Sequence, residues 1–168
     1  ALRSGYTSKT VNETRLRLFE QDRLEHRFCQ PHWAQSRKPI PAEAVLAQVA
    51  DVDPARCKRL TLADGAPLEH PEFDRIVALL GERGFARFDL VTDAPGLAAP
   101  GRIEDLRRRG LERLFVLLGG VTATVNERVM SAPGTHAAAM AGARAAAQSG
   151  RTYVVVPVVR DNEGEVLS

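Results

Sequence analysis

The chain is poor in sulfur. Two cysteines, Cys29 and Cys57, occur in 168 residues. Two thiols are too few for the disulfide framework of a small secreted domain, and a chain of this length buries roughly two thirds of its unfolded surface without one. No apolar run approaches the ~20 residues of a membrane-spanning helix, and no signal-peptide core follows Ala1-Leu2-Arg3-Ser4-Gly5. A cytoplasmic location is the expectation, with Ala1 in place of an initiator Met fitting a processed chain or a piece of a longer one. Charge is plentiful but balanced, 23 basic residues against 21 acidic. The net charge of +2 does not favour nucleic acid or an anionic membrane as partner, so Arg107-Arg108-Arg109 reads as a solvated helix face. A Ser-His-Asp order, a Walker loop and a GxGxxG motif are all missing. The large aromatics Trp33 and Tyr153 stand isolated and are assigned to core packing.

What is present is alternation. Residues 14–19 alternate Leu16 and Leu18 with Arg15 and Arg17, the period-two signature of a half-buried strand. A polar segment, 20–38, follows and carries most of the potential ligands: Asp22, His26, Cys29 and His32. Pro39 and Pro41 introduce a helix with Val45, Leu46, Val49 and Val52 on one face, broken by Asp53-Pro54. Residues 60–62 form a second strand that stops at the Asp64-Gly65 turn. Phe73, Ile76, Val77 and Leu80 recur at helical spacing up to Gly84. Residues 87–92 make a third strand ending at Asp93, and a short helix around Ile103 and Leu106 ends at Gly110. The apolar run 114–118 is that of a parallel strand covered on both faces, and Gly119-Gly120 ends it. A longer loop with Asn126, Met130 and Pro133 leads to Thr135, the expected N-cap of an Ala-rich helix over 136–148. Residues 153–159 are the last strand, and Asn162-Glu163-Gly164 is a turn. The whole, 1–168, is one domain with a lead-in arm (1–13) and a core (14–162). Five strands alternating with four helical segments predict an α/β fold with a parallel sheet, either doubly wound or part of a (β/α) barrel.

Several of these junctions resemble one family. Asp64-Gly65-Ala66-Pro67-Leu68-Glu69-His70-Pro71-Glu72-Phe73 resembles the "GGEPLLHPEF" pattern at the second strand of radical S-adenosylmethionine (SAM) enzymes. Val91-Thr92-Asp93 resembles their "TNG", residues 106–114 their "LKxxGLDRV", and Val116-Leu117-Leu118-Gly119-Gly120 their "VSLDG". The resemblance covers residues 14–162. It implies a partial parallel (β/α) barrel of radical SAM type with about five strands, open at the C-terminal edge where the family adds a sixth. It also implies an iron–sulfur cluster with SAM, held by three cysteines spaced CxxxCxxC after the first strand. Aligning His26-Arg27-Phe28-Cys29 with the family's "CRFC" puts Cys29 third, His26 second and Asp22 first, so two of three thiolates are replaced. The implied SAM positions are Asp64, Gly65, Ala66, Pro67, Asp93 and Gly119. Ala66 replaces the family's Glu, Asp64 its first Gly, and Leu117 and Gly119 its polar residues.

The expectation is therefore a degenerate radical SAM-like domain without cofactor. It would act as a non-catalytic partner or scaffold for a related enzyme or a peptide substrate, with a protein partner or further domain at the open barrel edge. Two alternatives stay open. One is an active radical SAM enzyme with non-standard cluster ligation through Cys29. The other is a zinc-type site of Asp22, His26, Cys29 and His32, which share roughly one face if that segment is helical. Asp64 and Asp93, at strand ends, suit either acid/base work at a barrel rim or plain turn chemistry.

Overall fold

The computed structural model describes residues 13–21, 35–63 and 66–167, with only the backbone of residues 21 and 35–37. Its elements, in chain order, begin with β1 (Glu13–Arg17), β2 (Phe19–Gln21), β3 (Gln35–Pro39) and α1 (Ala42–Ala47). They continue through β4 (Arg59–Ala63), α2 (Phe73–Glu82), β5 (Phe88–Thr92), α3 (Arg102–Arg108) and β6 (Leu111–Leu117). The last four are α4 (Ala123–Met130), α5 (His136–Gln148), β7 (Thr152–Val155) and α6 (Glu163–Val166). Among the described residues no helix is long and apolar enough to cross a membrane.

Five strands form one parallel sheet in the order β1-β4-β5-β6-β7. Strands join in chain order with no reversal. A doubly wound sheet reverses at a switch point, so the winding is that of a barrel. The sheet is not closed: β1 and β7 are its edges among the described residues.

One face of the sheet meets the helices. Leu16, Leu60, Leu62, Leu90, Leu114 and Val116 share a core with Phe73, Ile76 and Leu80 of α2, Ile103 and Leu106 of α3, and Ala139, Ala143 and Ala146 of α5. The opposite face follows from the same pleat. The register aligns Arg15, Thr61, Asp89 and Arg113 in one row. The next row holds Arg17, Ala63, Val91, Phe115 and Tyr153. Asp89 is buried under Arg113, whose Nε donates to Oδ1 at 3.1 Å while a second nitrogen meets Oδ2. Arg59 stands 3.8 Å from the same carboxylate.

Six expectations need correction. The polar segment 20–38, for which the sequence predicts no strand, contains two: β2 and β3 pair as an antiparallel hairpin. Its Gln, Ser and Lys residues carry no apolar alternation for periodicity to register. The loop assigned to Asn126, Met130 and Pro133 contains α4, whose buried Asn126, Val129 and Met130 lie at helical spacing with a polar residue diluting the signal. The turn at Asn162 opens α6, and the last strand stops at Val155, before Pro157 and its missing N–H. Tyr153 is not a core residue: it is 50% exposed and stacks on Phe115 with centroids 5.1 Å apart. Arg107 is not solvated, because its guanidinium donates to the carbonyls of Leu111 (3.0 Å), Glu112 and Gly150, joining α3 to the starts of β6 and β7. Burial holds its pKa below the ordinary arginine value, with Arg151 adding to the effect.

Candidate functional site

The carboxyl ends of parallel strands form one rim, and there the chain turns from sheet to helix. After β4 comes a 3-10 turn, Pro67–Glu69, with Ala66 half-buried and Pro67 buried. After β5 come Asp93 and a second 3-10 turn, Pro95–Leu97. These two loops touch: a Cβ on Gly96 would stand 2.8 Å from Leu68 Cβ. After β6 come Gly119 and Gly120, both buried. The structure thus brings Ala66, Pro67, Asp93 and Gly119 to one edge of the sheet. Asp64, Gly65, Asp22, His26, Cys29, His32 and Trp33 lie outside the described residues. Among the described residues no group of three His, Cys, Asp or Glu is placed to hold a metal.

The rim is fixed by polar side chains that periodicity does not mark. His70, 3% exposed, lies under the loop after β4. Its Nδ1 accepts from Glu72 N–H at 3.0 Å, which makes Nε2 the nitrogen that donates to Ile40 O, also at 3.0 Å. Phe19 meets the ring edge-on at 5.3 Å. His70 therefore ties the β4 loop to the segment after β3. Asp93 is half-buried and accepts from the Thr92 hydroxyl at 3.4 Å. Asp89 does not reach the rim, since Arg113 and Arg59 engage it lower in the sheet.

The loop after β6 is held from both sides. Asn126 Oδ1 accepts from Gly119 N–H at 2.8 Å, and Asn162 Nδ2 donates to Gly119 O at 2.7 Å. Both asparagines are 1% exposed. A Cβ on Gly119 would meet Asn126 O and Val129 Cβ, each at 2.8 Å, so α4 has closed over the space a side chain would need. Glu165 of α6 caps the same loop, accepting from Val121 N–H at 2.8 Å, from Thr122 N–H at 3.3 Å and from the Thr122 hydroxyl.

The Thr122 hydroxyl, then the Val121 and Thr122 N–H groups, hold the Glu165 carboxyl below the ordinary glutamate value of 4.5 against the opposing effect of burial. A carboxyl depressed in the folded state stabilises it above the unfolded pKa, and the contribution disappears as pH falls through the folded value. Amide-exchange protection of Val121 and Thr122 is therefore expected to hold at neutral pH and fall as pH drops past the glutamate range. Glu165→Ala should show the low-pH behaviour at neutral pH. Unchanged protection in that variant would contradict the assignment.

Comparison with known proteins agrees with this architecture. A family model described as the radical SAM superfamily matches residues 27–167. Among solved structures, the crystal structure of Streptococcus suis SuiB superposes with a TM-score of 0.64 at 14% identity, covering 94% of this chain and 35% of that one. The chain thus spans about a third of that protein's length, and at this identity the likeness concerns fold alone. No curated protein matches the sequence.

Proposed function

We propose that this chain, which belongs to the radical SAM superfamily, is a degenerate member without cluster chemistry, a non-catalytic partner or scaffold for a related enzyme or for a peptide substrate. The observation that carries this reading is the donor set. Superfamily chemistry uses three thiolates on a four-iron cluster, which leave one iron open to SAM. The aligned positions here are Asp22, His26 and Cys29, a single thiolate. Cys57 is no substitute. It precedes β4, with its Sγ 3.4 Å from Arg59 O and 3.8 Å from the Thr14 hydroxyl. It therefore lies at the end of the sheet away from the rim, about 16 Å off along a five-residue strand.

The SAM side of the rim supports the same reading. Gly119 stands where the family has an acidic residue, and Asn126 and Val129 crowd the position. These residues do not fit the family's cofactors, and no catalytic step is assigned. The open edge supports the partner role. Tyr153, Val154 and Val155 of β7 are 50%, 48% and 38% exposed, an uncharged edge strand of the kind that pairs with another chain.

The test is direct. Anaerobically purified protein given reductant and SAM should release no 5′-deoxyadenosine. Its formation, abolished by Cys29→Ala, would overturn the reading.

A further inference from the structure

We propose that the end of the sheet opposite the rim holds a phosphate dianion, free or as a monoester, between Arg87 and Arg151. This site lies apart from the cluster positions and does not depend on the scaffold reading. It is built where β5, β6 and β7 begin, since Arg87 precedes Phe88, Glu112 follows Leu111 and Arg151 precedes Thr152. Backbone strain is the first observation. Arg151 has a φ of 45° and follows Gly150 at 70°. An L side chain is unfavourable in this left-handed region, where glycine carries no penalty. An exposed arginine kept in such a conformation points to a use for its side chain.

A clamp beneath that turn is the second. Arg107 donates to Gly150 O and reaches Arg151 O at 3.5 Å, so one guanidinium fixes the backbone that carries another. Among the described residues its Nε is buried without a hydrogen-bond partner. Burial, and then the neighbouring Arg151, hold Arg107 below the ordinary arginine value, as positive charge left unneutralised does. The third is a shared carboxylate. Glu112 Oε1 stands 3.2 Å from Arg151 Nη1 and 3.6 Å from Arg87 Nη1. Arg87, Arg107 and Arg151 against Glu112 leave two positive charges, which a dianion balances and a single carboxylate does not. The next arginines, Arg108 and Arg109, already pair with Asp105 and Asp74. The two Glu112 distances place the Nη1 atoms of Arg87 and Arg151 no more than about 7 Å apart. Hydrogen bonds of about 2.8 Å to different oxygens of one tetrahedral phosphate span that gap. Arg87 and Arg151 are 74% and 70% exposed, so both planar forks can turn to such a ligand. Glu112 is the like charge that it displaces.

The test is an NMR titration of the whole chain with sodium phosphate at about pH 8 and constant ionic strength, with chloride as the reference anion. The Gly150, Arg151 and Thr152 amides should shift and saturate with a Kd of about 5 mM or tighter. Arg87→Gln and Arg151→Gly should each weaken binding at least about fivefold, the loss of one charge-assisted hydrogen bond. Arg151→Gly should still melt within about 3 °C of the parent, because glycine relieves the φ as it removes the ion pair. Glu112→Gln should tighten binding at least about threefold by removing the competing carboxylate. Arg108→Gln, an equal charge change on α3, should leave binding unchanged. Glycerol phosphate separates the two sources: binding tighter than that of inorganic phosphate assigns a monoester, and equal or weaker binding assigns the free anion. Shifts that chloride reproduces, no response to phosphate, weaker binding in Glu112→Gln or an equal loss in Arg108→Gln would each overturn the proposal. A large fall in melting temperature in Arg151→Gly would assign Arg151 to structure and overturn it as well.

Discussion

Arg113→Leu is expected to cost about 3 kcal/mol of folding stability, because it leaves the buried Asp89 carboxylate without its bidentate partner. The estimate sits at the low end for a broken buried pair because Arg59 remains at 3.8 Å. The reverse change, Asp89→Asn, should cost less, about 1–2 kcal/mol. The side chain it strands, Arg113, is 26% exposed and reaches water, while Arg59 keeps its pair with Glu13. Replacing both members by leucine should recover most of the Arg113→Leu loss, since apolar groups of similar volume substitute well for a buried ion pair. Urea unfolding midpoints give the order. An Asp89→Asn loss larger than that of Arg113→Leu, or no recovery in the double variant, would contradict the account. Arg113 is held above the ordinary arginine value, chiefly by its hydrogen bond to Asp89.

The second large effect concerns Gly142 in α5. Glycine inside a helix normally costs up to about 1 kcal/mol relative to alanine, so Gly142→Ala looks stabilising from sequence. The structure reverses the sign. A Cβ at Gly142 would lie 2.0 Å from Ala94 O and 2.9 Å from Ala94 C, both backbone atoms. Ala94 is fully buried and has a φ of 75°, where an L side chain is already unfavourable. The loop after β5 has little room to yield. Overpacking of this kind costs about 3 kcal/mol, which outweighs the helix gain and leaves a net loss of about 2 kcal/mol. Gly81→Ala in α2 is the matched control. Nothing lies within 4 Å of its Cβ position, so that variant should be stabilised by about 0.5–1 kcal/mol. Melting temperatures that rise for both variants would show that α5 does not bear on the loop.

These two sites mark the limit of what the sequence discloses. The parallel strands were legible because Leu16, Leu60, Leu62, Leu90, Leu114 and Val116 follow the pleat and fill one core. Helices α2 and α5 were legible for the same reason at helical spacing. Barrel winding leaves no periodic trace, and only the resemblance of residues 64–73, 91–93, 106–114 and 116–120 to the radical SAM motifs implied it. Helix α4 escaped because its buried face includes Asn126, and α6 because it is a single turn held by Asn162 and Glu165. Those two residues act on partners 43 or more positions away, Gly119 and Val121 among them. Thr135 stands at the N-cap position of α5, but its hydroxyl donates back to Ala132 O at 2.7 Å and does not cap the helix. Of the candidate site, the rim positions Ala66, Pro67, Asp93 and Gly119 fall together as the strand ends require. His70, inside a motif read for its neighbours, is the rim residue whose structural part went unnoticed.

The central claim is that the chain has the superfamily fold without its cluster. Iron and sulfide content after anaerobic purification and reconstitution tests it most directly. The account predicts a folded protein holding no stoichiometric iron, with Cys29→Ala indistinguishable from the parent. About four irons per chain, with matching sulfide and loss of both in Cys29→Ala, would contradict it.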